Sequence, residues 1–184
     1  MKTILLITLA SAAACHAALV TYDGSTVGQP TWNRPIQDGS FPPSSLSSVG
    51  TAVPYEVVPF TVSQFGTYSM MSESLIPASW DNYGLLYVDT FNANQPLLNA
   101  LIGNDDFDVP PVIGLAGFNY DLNPGTPYYF VTTGFENTDV GTYRLTITGP
   151  GDITLVPEPG QVAMMALTIL GAAGYAVHRF RSSK

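Results

Sequence analysis

The stretch Thr142-Tyr-Arg-Leu-Thr-Ile-Thr148 decides the fold class. Its apolar residues, Tyr143, Leu145 and Ile147, alternate with residues that suit water. A repeat of two residues is typical of a β-strand with one apolar and one wet face. We therefore predict that this segment is a strand on one side of a hydrophobic core.

Other short runs rich in Tyr, Val, Phe, Ile and Thr have the same character. They cover residues 19–22, 55–62, 66–72, 84–89 and 127–133. Gly- and Pro-rich turns separate these runs, and between the two chain ends only residues 97–102 are expected to form a helical turn. Short strands joined by such turns predict an all-β fold, an antiparallel β-sandwich or jelly roll.

The central part of the chain is acidic and lacks several reactive side chains. The chain has 184 residues, which suggests one domain plus targeting segments. Residues 19–156 contain no His, Cys or Lys. Their only cationic side chains are Arg34 and Arg144, and with 13 carboxylates the formal charge of this segment is −11. This charge argues against a nucleic-acid partner. Without cysteine no disulfide can form, so the domain needs a true hydrophobic core.

Residues 30–50 are rich in Pro and Ser and are predicted to form a loop region within the domain. This region also contains Trp32, Phe41 and Leu46, which are more apolar than a linker needs. We expect these three side chains to dock on the strands that follow.

The N-terminal end is predicted to be a secretory signal peptide covering residues 1–17. Lys2 precedes an apolar run at 4–10 and a small-residue stretch at 11–18, which is the order that such signals show. Cleavage is expected after Ala17 or after Ala18. Two alternatives are a lipoprotein signal that uses Cys15 and a first helix of the folded domain.

The C-terminal end, residues 156–184, has three parts. Residues 156–160 read Val-Pro-Glu-Pro-Gly, in which the two prolines force the residues before them into an extended conformation. Residues 161–177 carry no charge and are predicted to form one transmembrane helix, somewhat shorter than the ~30 Å hydrocarbon core. The tail at 178–184 is basic and is expected to stay in the cytoplasm. A permanent membrane anchor and a buried core helix are the alternatives.

The order of Val-Pro-Glu-Pro, a short apolar span and a basic end resembles the PEP-CTERM sorting signal of Gram-negative bacteria. The resemblance assigns Pro157, Glu158 and Pro159 to the sorting motif, and Arg179, Arg181 and Lys184 to the basic stop. It implies that an exosortase-type membrane transpeptidase removes the helix. The protein would pass through an inner-membrane intermediate to the cell surface or extracellular matrix.

Residues 18–155 are therefore expected to be the exported domain. Several motifs occur in it in order, among them Thr31-Trp-Asn-Arg-Pro35, Val53-Pro-Tyr-Glu-Val57 and Gly141-Thr-Tyr143. Together they look like a secreted bacterial β-sandwich module, similar in outline to pre-peptidase C-terminal domains. This resemblance implies a jelly-roll sandwich without catalytic activity.

The residue types available to the exported domain argue against catalysis. Both histidines, His16 and His178, lie in the predicted targeting segments. The exported domain therefore has no imidazole for a Ser-His-Asp or Cys-His catalytic arrangement, and no imidazole or thiolate for a zinc site. Paired carboxylates such as Asp81 and Asp89 satisfy the formal requirement of glycoside hydrolysis, but no substrate cleft is evident. We predict that the protein is not an enzyme and has no catalytic residue.

One acidic cluster suggests calcium. Residues 104–108 read Asn-Asp-Asp-Phe-Asp, and calcium takes six to eight oxygen ligands of this kind. Asp105, Asp106 and Asp108 are the predicted ligands, and Asp81 with Asn82 could approach them. The alternative is a loop whose polar side chains bond their own backbone.

The aromatic residues permit binding of exopolysaccharide by ring stacking, or they form a core and cross-strand pairs instead. They are Trp32, Trp80, Tyr83, Tyr87, Tyr120, Tyr128 and Tyr129. The sequence thus predicts an exported, non-enzymatic surface or matrix protein without a cofactor. The alternatives are a glycan- or calcium-binding adhesive module and a permanently anchored protein.

Overall fold

The computed structural model describes residues 17–36, 41–78, 80–107 and 112–156. These residues form twelve β-strands and contain no helix. The strands are β1 (Ala18–Ser25), β2 (Thr31–Trp32), β3 (Pro35–Ile36), β4 (Ser45–Leu46), β5 (Val53–Val62), β6 (Gly66–Ile76), β7 (Asn82–Val88), β8 (Ala100–Asn104), β9 (Leu115–Leu122), β10 (Tyr128–Gly134), β11 (Thr142–Gly149) and β12 (Ile153–Leu155). The predicted all-β class is confirmed.

The strands form two main sheets, and every pairing is antiparallel. The four-stranded sheet has the order β1-β11-β6-β9. The larger sheet has the order β12-β5-β10-β7-β8, and β2 also pairs with β5. A small ribbon of β3 and β4 completes the described strands.

One hydrophobic core lies between the two sheets, in a β-sandwich-like arrangement. Its buried members are Val58, Phe60, Val62, Tyr68, Met70, Trp80, Leu86, Phe118, Leu122, Tyr128, Phe130, Tyr143, Leu145 and Ile147. The three alternating apolar residues of 142–148 all belong to it, on a strand held between β1 and β6. The alternation therefore predicted both the strand and its buried face correctly.

A second cluster covers the outer face of the larger sheet. Trp32 lies there with its ring centroid 5.2 Å from that of Tyr55 and 5.4 Å from that of Phe91. The docking expected of Trp32 is confirmed, and the region 30–50 contains three short strands rather than loop alone. Phe41 and Leu46 do not dock, since 66% and 39% of their surfaces are exposed.

The helical turn expected at 97–102 is wrong. Ala100 begins β8, and its pairing with Tyr87 continues the larger sheet outward to its edge. β8, β9 and β12 were not predicted, because β8 and β9 are interrupted by glycines (Gly103 and Gly117) and β12 has only three residues. Their strand conformation depends on partners elsewhere in the chain, which local patterns do not reveal.

Neither predicted targeting segment is placed by this fold. Residues 1–16 and 157–184 lie outside the described residues, and with them the transmembrane helix predicted at 161–177. Within the described residues, no helix is long and apolar enough to cross a membrane.

The core should be sensitive to loss of a ring between the sheets. Phe130 is fully buried on β10 and its ring lies 5.7 Å from that of Phe118. We expect Phe130→Ala to lower the free energy of unfolding by about 3–5 kcal/mol, because it removes apolar burial and leaves a cavity. Urea unfolding followed by fluorescence measures it. Phe65→Ala is the matched control, since 61% of Phe65 is exposed, and it should cost less than about 0.5 kcal/mol. Equal costs would contradict this description of the core.

Candidate functional site

Four carboxylates lie near enough at one end of the sheets to influence one another electrostatically, and we call this the acidic end: Asp81, Asp105, Asp106 and Asp139. Asp81 precedes β7, Asp105 and Asp106 follow β8, and Asp139 lies between β10 and β11. The start of β7 pairs with the ends of both β8 and β10, so three separate connections meet there. The acidic end is therefore a product of strand pairing.

The crowding of negative charge changes how these carboxyl groups titrate. Partial burial, followed by the negative charges of Asp139, Asp105 and Asp106, raises the pKa of Asp81 to about 6, and Arg34 opposes this increase. Burial and the neighbouring Asp105 also raise the pKa of Asp106. Asp81 and Asp106 therefore lose their protons at a higher pH than ordinary carboxyl groups do.

Arg34 is the buried cation beside this end. It is fully buried, and its guanidinium donates to three main-chain carbonyls. Nε donates to the oxygen of Gly134 at 3.0 Å, Nη2 to that of Phe135 at 2.7 Å and Nη1 to that of Pro35 at 3.0 Å. These bonds join the segment of β2 and β3 to the connection that follows β10.

An aromatic ring and a glycine complete the surroundings of Arg34. The Cζ atom lies 4.0 Å from the centroid of the Tyr83 ring, within the range of a cation–π contact. A Cβ on Gly50 would lie 2.7 Å from Arg34 Nε, so only glycine fits there without movement. Burial lowers the pKa of Arg34, but a guanidinium keeps its proton in proteins. The carboxylates Asp105, Asp81 and Asp139 partly balance the charge.

The predicted calcium ligands are only partly brought together. Asp105 and Asp106 are half-buried, and Asp108 lies outside the described residues. Asn104 Nδ2 donates to the carbonyls of Asp106 and, at 3.0 Å, of Gly117, so its amide is engaged with backbone. In the part of the chain that the structure describes, no group of three or more His, Cys, Asp or Glu side chains is arranged to hold a metal ion. Calcium binding stays a prediction.

The two tryptophans are not a platform for sugar rings. Trp80 is 5% exposed and its Nε1 donates to the carbonyl of Thr142 at 3.0 Å, while Trp32 is 4% exposed. Tyr83, Tyr87 and Tyr128 are buried as well, and only Tyr120 and Tyr129 of the predicted aromatic set are half-buried. The core alternative is confirmed for Trp80, and binding of exopolysaccharide stays a prediction.

A polar cluster around Glu56 lies between the sheets and was not predicted from the sequence. Glu56 faces inward from β5, where it accepts a bond from the Tyr22 hydroxyl at 2.9 Å and one from the Ser25 N–H at 2.7 Å. Burial, followed by the charge of Glu56, raises the pKa of Tyr143. The cluster links β1 to β5 across the open side of the two sheets. Its one sequence signal is a glutamate at an inward position of a predicted strand.

The predicted processing points adjoin strands. Ala17 is exposed and directly precedes β1, and the N–H of Val156 donates to the carbonyl of Pro59 at 2.8 Å, just after β12. The other predicted sorting residues lie outside the described residues: Pro157, Glu158, Pro159, Arg179, Arg181 and Lys184. The domain boundaries predicted at 18 and 155 coincide with the first residue of β1 and the last residue of β12.

We expect Arg34→Met to destabilise the fold by about 3 kcal/mol or more. The change leaves three carbonyls without their donor and the carboxylates of the acidic end without their nearest cation. Equilibrium urea unfolding measures the loss. Arg144→Met is the control, because the pair of Arg144 with Asp23, at 2.7 Å, is exposed to solvent and should contribute little to stability. If both variants lost the same small amount, Arg34 would not be a structural centre.

The raised pKa of Asp81 predicts a pH dependence with a definite sign. An acid whose pKa is higher in the folded than in the unfolded protein favours folding below its unfolded pKa, and this advantage is lost as pH rises through about 6. Asp81→Asn should therefore match the wild type near pH 4 and exceed its stability at pH 7 by about 1 kcal/mol, after allowance for solvent screening. Thermal melts across this range test it, with Asp152→Asn at the opposite end as control. A stability difference that does not change with pH would count against the prediction.

Comparison with known proteins adds no family to this description. No protein-family model matches the sequence, and no curated protein matches it.

Proposed function

We propose that the protein is an exported, non-enzymatic component of the cell surface or extracellular matrix, processed at both ends. The observation that carries the proposal is the position of the edge strands. β1 begins at Ala18, directly after the expected signal cleavage, and β12 ends at Leu155, directly before the proline-rich motif. The folded unit thus occupies the interval that two processing enzymes would leave.

The connectivity of the strands supports a jelly roll as the fold of this unit. Consecutive long strands repeatedly change sheets, so that β1, β6, β9 and β11 share one sheet while β5, β7, β8 and β10 share the other. Jelly rolls of this kind serve often as exported binding or structural domains. Residues 19–156 offer no imidazole, thiol or ammonium group, which favours a structural or adhesive role.

Processing can be tested by mass spectrometry of protein collected from outside the cell. We expect a chain that begins at Ala18 or Leu19 and lacks both the apolar segment 161–177 and the basic tail. The double variant Pro157→Ala, Pro159→Ala should leave most of the protein in the inner membrane, because the prolines no longer hold residues 156 and 158 in an extended conformation. Pro124→Ala, in an exposed turn, is the control and should be delivered normally. An extracellular chain that still ends at Lys184 would refute the sorting proposal.

Calcium binding by the acidic end is the second candidate, favoured by the approach of Asp81 and Asp139 to Asp105 and Asp106. Such oxygen-rich loops are what calcium requires, although the described carboxylates would have to move closer, or Asp108 to join them. A bound cation would also relieve the mutual repulsion that raises the pKa of Asp81.

A calcium titration followed by thermal melting separates this candidate from a purely structural role. If calcium binds, the melting midpoint rises with calcium concentration. At a hundredfold excess of calcium over Kd, binding stabilises the folded state by about 2.7 kcal/mol. Asp105→Asn with Asp106→Asn should abolish the rise, whereas Asp121→Asn, on the exposed side of β9, should keep it. A midpoint indifferent to millimolar calcium removes the metal from the function.

A further inference from the structure

The outer edge of β5 is covered by two strands with an opening between them. β2 pairs with Val53 and Pro54, and the N–H of Tyr55 donates to the carbonyl of Pro30 at 3.1 Å. β12 covers the other half, from Phe60 to Val62. Among the described residues no strand pairs with Val57 on this edge.

The backbone of Val57 faces this opening. Tyr55, Pro59 and Ser63 all direct their backbone groups to the outer edge, where they bond Pro30, Val156 and Asp152. Backbone groups of a strand alternate in direction with every residue, so the N–H and C=O of Val57 point the same way. The opening therefore presents one donor and one acceptor ready for an extended segment.

The register of β12 identifies the segment that fits. Ile153 is opposite Val62 and Leu155 is opposite Phe60. If this register continued, residues 157, 158 and 159 would come opposite Val58, Val57 and Glu56. β2 closes the edge beyond that point. We propose that Pro157-Glu158-Pro159 docks in this opening as an extension of β12.

The position of the prolines matches the pairing. Only residue 158 must exchange hydrogen bonds with Val57, and Glu158 is the one member of the tripeptide that has an N–H. The prolines fall at the alternate positions, where an N–H would point away from β5 and is not needed. Each proline also holds the residue before it, Val156 or Glu158, in the extended region that a strand requires.

Docking is reversible because β5 holds Val156, the residue between β12 and the motif, weakly. The pair of Val156 and Pro59 has a single hydrogen bond, since Pro59 has no N–H to return. A docked motif has its backbone paired and is not available to an enzyme that grips an extended peptide. The domain thereby controls access to its own sorting motif, a consequence that rests on the proposed sorting function.

The test is amide hydrogen exchange at Val57 in the full-length chain held in detergent micelles. In the wild type the Val57 amide should exchange about tenfold more slowly than in Glu158→Pro, which loses the N–H that pairs with the Val57 carbonyl. Glu158→Ala is the matched control, because it keeps that N–H and should keep the protection. Thermal melting verifies that each variant remains folded.

Two outcomes overturn the proposal. One is an equal exchange rate at Val57 in the wild type and in Glu158→Pro. The other is protection that increases with protein concentration, which would assign the opening to a strand of a second copy. No processing enzyme takes part, so the result is independent of whether the motif is a sorting signal. Protection at Val57 in a protein that is never processed would support the docking and refute the proposed sorting alone.

Discussion

The alternation of side chains and backbone groups along β5 is the constraint on which the rest of the structure depends. Its inward side chains, Val58, Phe60 and Val62, belong to the core between the sheets, while Val53 on its outer face holds Trp32. Pro54 lacks the N–H that β10 would need, and the ladder of the two strands accordingly ends at Tyr55 and Thr133. β5 thus contributes to the core between the sheets and to the outer aromatic cluster, and its Pro54 sets where the pairing with β10 ends.

Because the domain has no cysteine, packing on both faces of the larger sheet takes the place of covalent links. The core between the sheets is supplemented on the outer face by the aromatic cluster around Trp32. Arg34 joins this outer layer to the acidic end. Burying a guanidinium costs several kcal/mol, and here three carbonyls, the Tyr83 ring and the field of the carboxylates offset the cost. Arg34 and the acidic end are therefore one electrostatic unit.

The predicted processing points adjoin edge strands, so the proposed processing would act beside backbone that takes part in folding. β1 lies at the edge of the four-stranded sheet and begins at Ala18, while β12 lies at the edge of the larger sheet. Edge strands pair on one side only, and they separate more readily than central ones. Under the proposed function, both ends would be open to enzymes without unfolding of the core to which β10 and β11 contribute.

Local patterns were enough to predict the fold class, six of the long strands and the charge of the domain, because a repeat of two residues and a count of ionisable groups do not depend on distant segments. The three-dimensional packing was needed to show that Trp80 is buried, that Asp139 approaches Asp81 and that residues 100–104 are a strand. Each of these depends on which distant segments become neighbours, and pairing between segments far apart leaves no periodic trace in either one. Arg34 shows the same division: the sequence identified a rare cation, and strand pairing decided that it is buried.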